Sequence, residues 1–282
     1  MQTISSGSSR SASRLTGERP RQGVTPDSLL ALHEAGYRAV LERLGPGVVL
    51  DVGCGEGFES ARLMGRGRRV IGIDYSEEAT RAACARFGRE DLRVACMDAM
   101  TLGLGDDTFD WACSSHVIEH FTEPERHVAE ISRVLTTDGK AFFLTPNEPA
   151  DFENPFHVHL FGRKGLCSIL ELYFEDVWVG GLDAVARVKE DLAARRAKAA
   201  RLLALDVFDV RHRIPHRWYV AAYTRLLPMA YRVLARRDAR GMTGIVGEDF
   251  FVTEAVDDTT LVLFAVAGRP RREGSPGFPG RC

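Results

Sequence analysis

Val48-Val49-Leu50-Asp51-Val52-Gly53-Cys54-Gly55-Glu56-Gly57 is a short apolar run that closes on an acid and three spaced glycines. The run predicts a buried strand, and the glycines predict a tight turn that lets a ligand approach the backbone. Helical spacing returns at Phe58–Met64, and the alternation continues down the chain. Strands are expected at Val70–Ile73, Leu92–Cys96, Phe109–Cys113 and Ala141–Thr145. Helices are expected at Glu77–Phe87 and at Glu125–Leu135, the latter stopped by Asp138-Gly139. Strands separated by helices pair in parallel through right-handed crossovers. The expected fold is therefore a doubly wound α/β sheet that binds ligands beyond the carboxyl ends of its strands.

Outside this core the pattern changes. Asp27–Leu44 reads as an amphipathic helix, stopped by Gly45-Pro46-Gly47. Arg163–Tyr173 reads as a helix, Val177–Val179 as a strand and Leu261–Ala267 as a final apolar strand. The division that follows is a disordered tail at 1–22, a ligand-binding domain at 23–182 and 248–268, a basic helical insertion at 183–247 and a loose tail at 269–282. The Ser- and Arg-rich tail has the composition of a transit peptide but lacks its apolar face.

Bulk composition bounds the function. The 282 residues carry a net charge of −2 and are 45% hydrophobic and 27% charged, which excludes collagen-like, coiled-coil and wholly disordered chains. No run of 18 apolar residues is present, so a membrane-spanning helix is not expected. The six cysteines show no CxxC spacing, so neither a disulfide framework nor a zinc knuckle is expected, and a cytoplasmic setting is the simplest.

The acids narrow the ligand. A dinucleotide fingerprint has its third glycine one position later than Gly57, and Asp51 would repel a pyrophosphate resting on the helix. Asp74 ends the second strand, 21 residues past Gly53, where a carboxylate can accept from ribose hydroxyls. Asp98 follows the third strand, where it could accept from an adenine amino group. Taken singly, Asp51 and Asp74 could be helix caps and Asp98 a loop acid. Their placement at three successive strand ends instead describes a phosphate-free, positively charged nucleoside. S-adenosylmethionine (SAM) has that chemistry.

The segments VLDVGCGEGFESARL, VIGIDYS, DLRVACMDA, FDWACSSHVIEHF and EISRVLTTDGKAFFLTPN resemble the ordered motifs of class I SAM-dependent methyltransferases. The resemblance covers residues 48–147 and implies a Rossmann-like, mostly parallel seven-stranded sheet, with the helical insertion before the last strand. It implies that Asp51, Gly53, Cys54 and Gly55 hold the methionine portion, Asp74 and Tyr75 the ribose, and Asp98 and Ala99 the adenine, with Ser114 beside the sulfonium. LTGER at Leu15–Arg19, NPFH at Asn154–His157 and the late DDTTLVLFAVAGRP are similar to actinobacterial methyltransferases, among them one that methylates the 1-hydroxyl of a mannobiose. That likeness implies a sugar or glycan hydroxyl as acceptor. The alternatives are a quinone or polyketide acceptor and, in another class, a SAM-binding module without transfer activity.

A sugar hydroxyl is a weak nucleophile, so a base or a metal is expected beside it. His116-Val117-Ile118-Glu119-His120 follows the fourth strand. Ubiquinone-biosynthetic O-methyltransferases place a Glu-x-x-Glu-His metal site here; Glu119 and His120 match it, and His116 departs from it. His120, Glu119 and His116 are the candidate catalytic residues, and three roles stay open: Glu119 and His120 hold a divalent ion such as Mg2+, His120 acts as a simple base, or the pair stabilises its loop. His157 and His159 either close over the acceptor or form a hydrogen-bonded loop pair, and His33 and Tyr37 share a helix face as lid or core.

Residues 187–240 hold 14 Lys or Arg and 5 Asp or Glu, with an apolar stripe through Trp218, Tyr219, Ala222, Leu226 and Met229. A substrate lid, peripheral contact with an anionic membrane, and cover for a lipid-linked sugar all fit such a segment. No nucleic-acid module accompanies it, so the expected partner is a small-molecule acceptor. The sequence sets no oligomeric state.

Overall fold

The computed structural model describes residues 27–88, 91–151, 156–203 and 244–272. Its centre is a sheet in the spatial order β3-β2-β1-β4-β5-β8-β6-β7. The strands are β1 (Gly47–Val52), β2 (Arg68–Asp74), β3 (Leu92–Cys96), β4 (Phe109–Ser115), β5 (Leu135–Pro146), β6 (Phe174–Ala184), β7 (Phe250–Thr253) and β8 (Val262–Pro270). β1 to β5 pair in parallel, and β8 runs antiparallel between β5 and β6. The helices are α1 (Asp27–Leu41), α2 (Phe58–Leu63), α3 (Glu77–Phe87), α4 (Pro124–Val134), α5 (Arg163–Glu171) and α6 (Ala186–Leu203).

Successive residues of the central strands feed opposite layers. Leu50 and Val52 join Ile131 of α4 and Leu166 of α5 on one face, while Val49 joins Val40 of α1 and Leu63 of α2 on the other. Burial on both faces explains why these strands read as continuous apolar runs rather than as alternating ones. Strand order reverses at β1, with β2 on one side and β4 on the other. A doubly wound sheet opens its ligand crevice at that reversal.

The structure corrects several boundaries. The sheet has eight strands, not seven, because β7 pairs antiparallel with Gly181–Ala184 of β6. Four residues, Phe250–Thr253, are too short to show a two-residue period. β6 runs through Asp183, which the sequence reading assigned to the insertion. Asp183 pairs with Phe251 of β7, and its side chain is satisfied there, accepting from Lys189 Nζ at 2.5 Å and from the Ala184 amide at 2.9 Å. Asp138-Gly139 does not end α4: the helix stops at Val134, and the pair lies in the first part of β5, where the register with β4 shifts. The C-terminal tail begins later than 269. Arg269 and Pro270 belong to β8, the Arg271 amide donates to Tyr173 O at 2.7 Å, and Arg272 Nη2 donates to Leu135 O at 2.8 Å.

Of the basic insertion, α6 is a helix as expected; the stretch 204–243, with its apolar stripe, lies outside the described residues, as do the tail 1–22 and the end of the chain from 273. Among the described residues no helix is long and apolar enough to cross a membrane.

Candidate active site

The glycine turn leaves β1 with Gly53 at φ 79° and Gly55 at φ 53°. Both angles lie in the left-handed region that only glycine enters freely. A Cβ on Gly53 would stand 2.4 Å from Val117 Cγ2, so the turn also packs tightly against the segment that follows β4. At Gly55 a Cβ would meet nothing within 4 Å, so the backbone there faces open space. The amides of Gly53 and Cys54 donate to Ile73 O at 2.8 and 2.9 Å, which ties the turn to the end of β2.

Asp51 sits beneath this turn and is fully buried. Tyr37 Oη of α1 donates to one carboxylate oxygen at 2.9 Å, and Ser60 Oγ of α2 donates to the other at 2.5 Å. Burial pushes its pKa up to about 7, against the pull of those two donors, and the nearby Glu59 and Asp74 add to the rise. Cys54 is buried alongside, its thiol pushed up by desolvation and then by Asp51 and Asp74.

Asp74 closes β2 and is turned toward the glycines. Its carboxylate accepts from the Gly55 amide at 3.0 Å and from the Ser76 amide at 2.8 Å. Tyr75 follows with over a third of its surface exposed. Asp98 lies after β3, where its side chain accepts from the Met100 amide at 3.0 Å. The Met97 amide donates to Asp74 O at 2.9 Å and joins this turn to the β2 end. The structure therefore brings Asp51, Gly53, Cys54, Gly55, Asp74, Tyr75, Asp98 and Ala99 to one edge of three adjacent strands.

Ser114, in β4, is fully buried, and its hydroxyl meets His127 Nε2 at 2.8 Å. His127 Nδ1 meets Ala99 O at 3.1 Å. A carbonyl only accepts, so Nδ1 carries the proton and Nε2 accepts from Ser114. Burial holds the His127 pKa down at about 4, which keeps this bridge neutral. The sequence reading did not single out His127. A lone histidine on the apolar face of α4 gives no signal until Ala99 and Ser114 are known to flank it. The adjacent Ser115 hydroxyl is buried without a hydrogen-bond partner.

Beyond Ser115 the chain turns sharply at His116, whose φ is 55°. The 3-10 turn Ile118–His120 then buries Glu119 to 1% exposure. Thr145 Oγ1 at the end of β5 donates to Glu119 Oε2 at 3.1 Å. His116 Nδ1 lies 3.4 Å from Oε1, and that oxygen is buried with no well-formed hydrogen bond. Burial alone would raise the Glu119 pKa; the surrounding His116, His120 and His157 outweigh it and hold it down at about 2. The His33 ring of α1 lies against that of His116, tilted by 52° with centroids 4.5 Å apart, and burial, then His116, drives the His33 pKa down to about 3.

His120 Nδ1 donates to Phe156 O at 2.9 Å, and His157 Nδ1 meets Asp151 Oδ2 at 2.9 Å. The amides of Val158 and His159 donate to Glu119 O at 2.9 and 3.1 Å, so the loop carrying His157 is anchored on the turn carrying Glu119. Of the expected histidines, His157 joins the Glu119 cluster, while His159 stacks on Phe161 with centroids 4.4 Å apart.

The methyltransferase domain family matches residues 50–143. A protein of Mycobacterium tuberculosis named a probable S-adenosylmethionine-dependent methyltransferase is 31% identical over 189 residues, covering 64% of this chain and 68% of that one. A similarly named protein of Mycolicibacterium smegmatis is 33% identical over 168 residues, covering 57% of this chain and 65% of that one. The chain thus spans about two thirds of the length of these relatives. It belongs to the SAM-dependent methyltransferases. The fold is shared with Haemonchus contortus phosphoethanolamine N-methyltransferase 2 in complex with S-adenosyl-L-methionine, at a TM-score of 0.52 and 17% identity over 83% of this chain and 52% of that one.

The residues at the strand edge fit that cofactor. Gly55 opens onto space that a side chain would fill, and Ser115 has a buried hydroxyl without a partner.

Proposed function

We propose that the protein transfers a methyl group from SAM to the hydroxyl of a small molecule, a sugar or glycan in preference to a quinone or polyketide. The observation that carries this reading is Glu119: a buried, ionised carboxylate ringed by His116, His120 and His157, next to the strand edge that carries Asp51, Asp74 and Asp98. Bound SAM supplies a methyl group already activated by its sulfonium.

The protein has three tasks. Asp51, Gly53, Cys54 and Gly55 hold the amino acid end, Asp74 and Tyr75 the ribose, and Asp98 and Ala99 the adenine. Ser114 acts through His127, which fixes the position of Ala99. The second task is to place the acceptor oxygen in line with the methyl group, which converts a bimolecular encounter into a positioned one. The imidazole-rich rim beyond β4 offers polar contacts to a hydroxylated acceptor.

The third task is to remove a proton. His116 receives it from the acceptor hydroxyl as the new O–C bond forms and the S–C bond breaks. The anionic Glu119, 3.4 Å from Nδ1, stabilises the imidazolium, and the proton then passes to solvent. The left-handed backbone at His116 turns the chain beyond β4, and the ring lies between His33 of α1 and Glu119 with a small part of it exposed.

The test is mass spectrometry of hydroxylated acceptors incubated with protein and SAM. One added methyl group on a sugar, with matching S-adenosylhomocysteine, supports the reading. Binding of SAM with no S-adenosylhomocysteine formed from any hydroxyl acceptor in an extract would favour a non-catalytic module. A His116→Ala variant is expected to lose turnover at least a hundredfold while keeping SAM affinity.

A further inference from the structure

We propose that Tyr37 is a positioning residue of the cofactor site: from α1 it orients the Asp51 carboxylate and supports the negative charge that receives the amino acid end of SAM. That role toward SAM rests on the methyl-transfer reading above; the pairing of Tyr37 with Asp51 does not.

Tyr37 Oη donates to one Asp51 oxygen at 2.9 Å, and Ser60 Oγ of α2 donates to the other at 2.5 Å. One donor on each oxygen fixes the plane of the carboxylate, and neither donor belongs to the strand that carries it. Tyr37 is 6% exposed and Ser60 is fully buried, so water competes little for either bond. The depth at which Tyr37 enters is set by its neighbour. A Cβ on Gly36 would stand 2.6 Å from Leu144 Cδ2 of β5, so α1 rides directly on the sheet. Glycine weakens a helix interior, and here it permits that close approach.

The surroundings of Asp51 make the hydroxyl matter. The groups that face the carboxyl besides Tyr37 and Ser60 are Glu59 of α2, Cys54 of the glycine turn, Asp74 at the end of β2 and Cys113, its register partner on β4. Gly72, its register partner on β2, has no side chain. None of these groups is a cation. Among the described residues, the two hydroxyls are therefore what favours a charged Asp51 against its burial. Burial, then Asp51 itself, pushes the Tyr37 hydroxyl up from its ordinary value, so it stays a donor through neutral pH. Tyr37→Phe removes one oxygen, keeps the ring packing and leaves Asp51 harder to ionise.

The test measures SAM affinity of the full-length parent, Tyr37→Phe and Val40→Ala between pH 6 and pH 9. Carboxyl 13C NMR of the same SAM-free proteins follows Asp51 directly, with Asp51→Asn assigning its signal. Tyr37→Phe is expected to raise the Asp51 midpoint by about one pH unit. Its SAM binding should then be about fivefold weaker than the parent's at pH 7 and within about twofold at pH 9, where both carboxyls are ionised. Val40 is fully buried on α1 and has no polar side-chain atom, so Val40→Ala should lower the melting temperature and leave the midpoint in place. An unmoved midpoint in Tyr37→Phe, a midpoint moved as far by Val40→Ala, or a Tyr37→Phe loss of affinity equal at every pH would each overturn the proposal. A moved midpoint with SAM binding absent, or untouched at every pH, would overturn it differently: the Tyr37 bond would stand, and the cofactor would lie away from Asp51.

Discussion

Asp51 should make SAM binding depend on pH. Its carboxyl is buried and its pKa stands near 7, so in the free protein it is half protonated at neutral pH. A ligand cation in the crevice favours the ionised form. If SAM binds only that form, affinity follows the ionised fraction, about 3% at pH 5.5 and 50% at pH 7. The dissociation constant should therefore fall about 15-fold over this interval, equivalent to ~1.6 kcal/mol. Isothermal titration calorimetry in buffers of different ionisation enthalpy should show proton release on binding, greatest at the acid end. Asp51→Asn should bind more weakly and lose most of this slope, which separates Asp51 from the histidines that titrate nearby. A parent affinity that is flat with pH, or a slope retained in Asp51→Asn, would refute the reasoning. The same shift carries a sign for stability. The folded, ligand-free protein holds a proton that the unfolded chain releases above about pH 4, so this group lowers stability as pH rises from there toward 7.

Glu119 should do the reverse. Its folded pKa of about 2 lies below the ordinary value of 4.5, so its stabilisation is present above pH 4.5 and is lost as pH falls toward 2; Glu119→Gln should flatten that part of the stability profile in urea titrations. Gly53→Ala forces a Cβ to within 2.4 Å of Val117 Cγ2 at φ 79° and should cost about 1–3 kcal/mol, together with SAM affinity; a variant with the parent's melting temperature would contradict the packing argument. His127→Ala removes the bridge between Ser114 and Ala99, and should destabilise by about 2–4 kcal/mol in chemical denaturation, with no comparable loss expected from replacing the exposed Arg126.

The sequence made the parallel core legible because both faces of its strands are buried. Val48–Val52 and Val70–Ile73 have no polar alternation to confuse with a helix, and glycines or acids mark their ends. The acids of the strand edge were legible for the same reason, since strand order converts sequence spacing into spatial adjacency. The end of β6 was not, because Asp183 is placed in the strand by pairing with Phe251 of β7 and its charge is met by Lys189, contacts the sequence does not announce. Arg269 to Arg272 read as a loose tail since their anchoring acceptors, Tyr173 O and Leu135 O, lie about a hundred residues or more away in the chain. The Glu119-His120 pair was visible as a dipeptide. Its third member, His157, depends on a loop folded back onto Glu119 O, which only the three-dimensional structure supplies.

Equilibrium binding of SAM to the parent and to Asp74→Ala puts the strand-edge carboxylates to the most immediate trial. Losing charge-assisted hydrogen bonds worth about 1.5–3 kcal/mol should weaken binding about 10- to 100-fold, with circular dichroism unchanged. Equal affinity in a folded Asp74→Ala protein would place the nucleoside elsewhere and contradict the account.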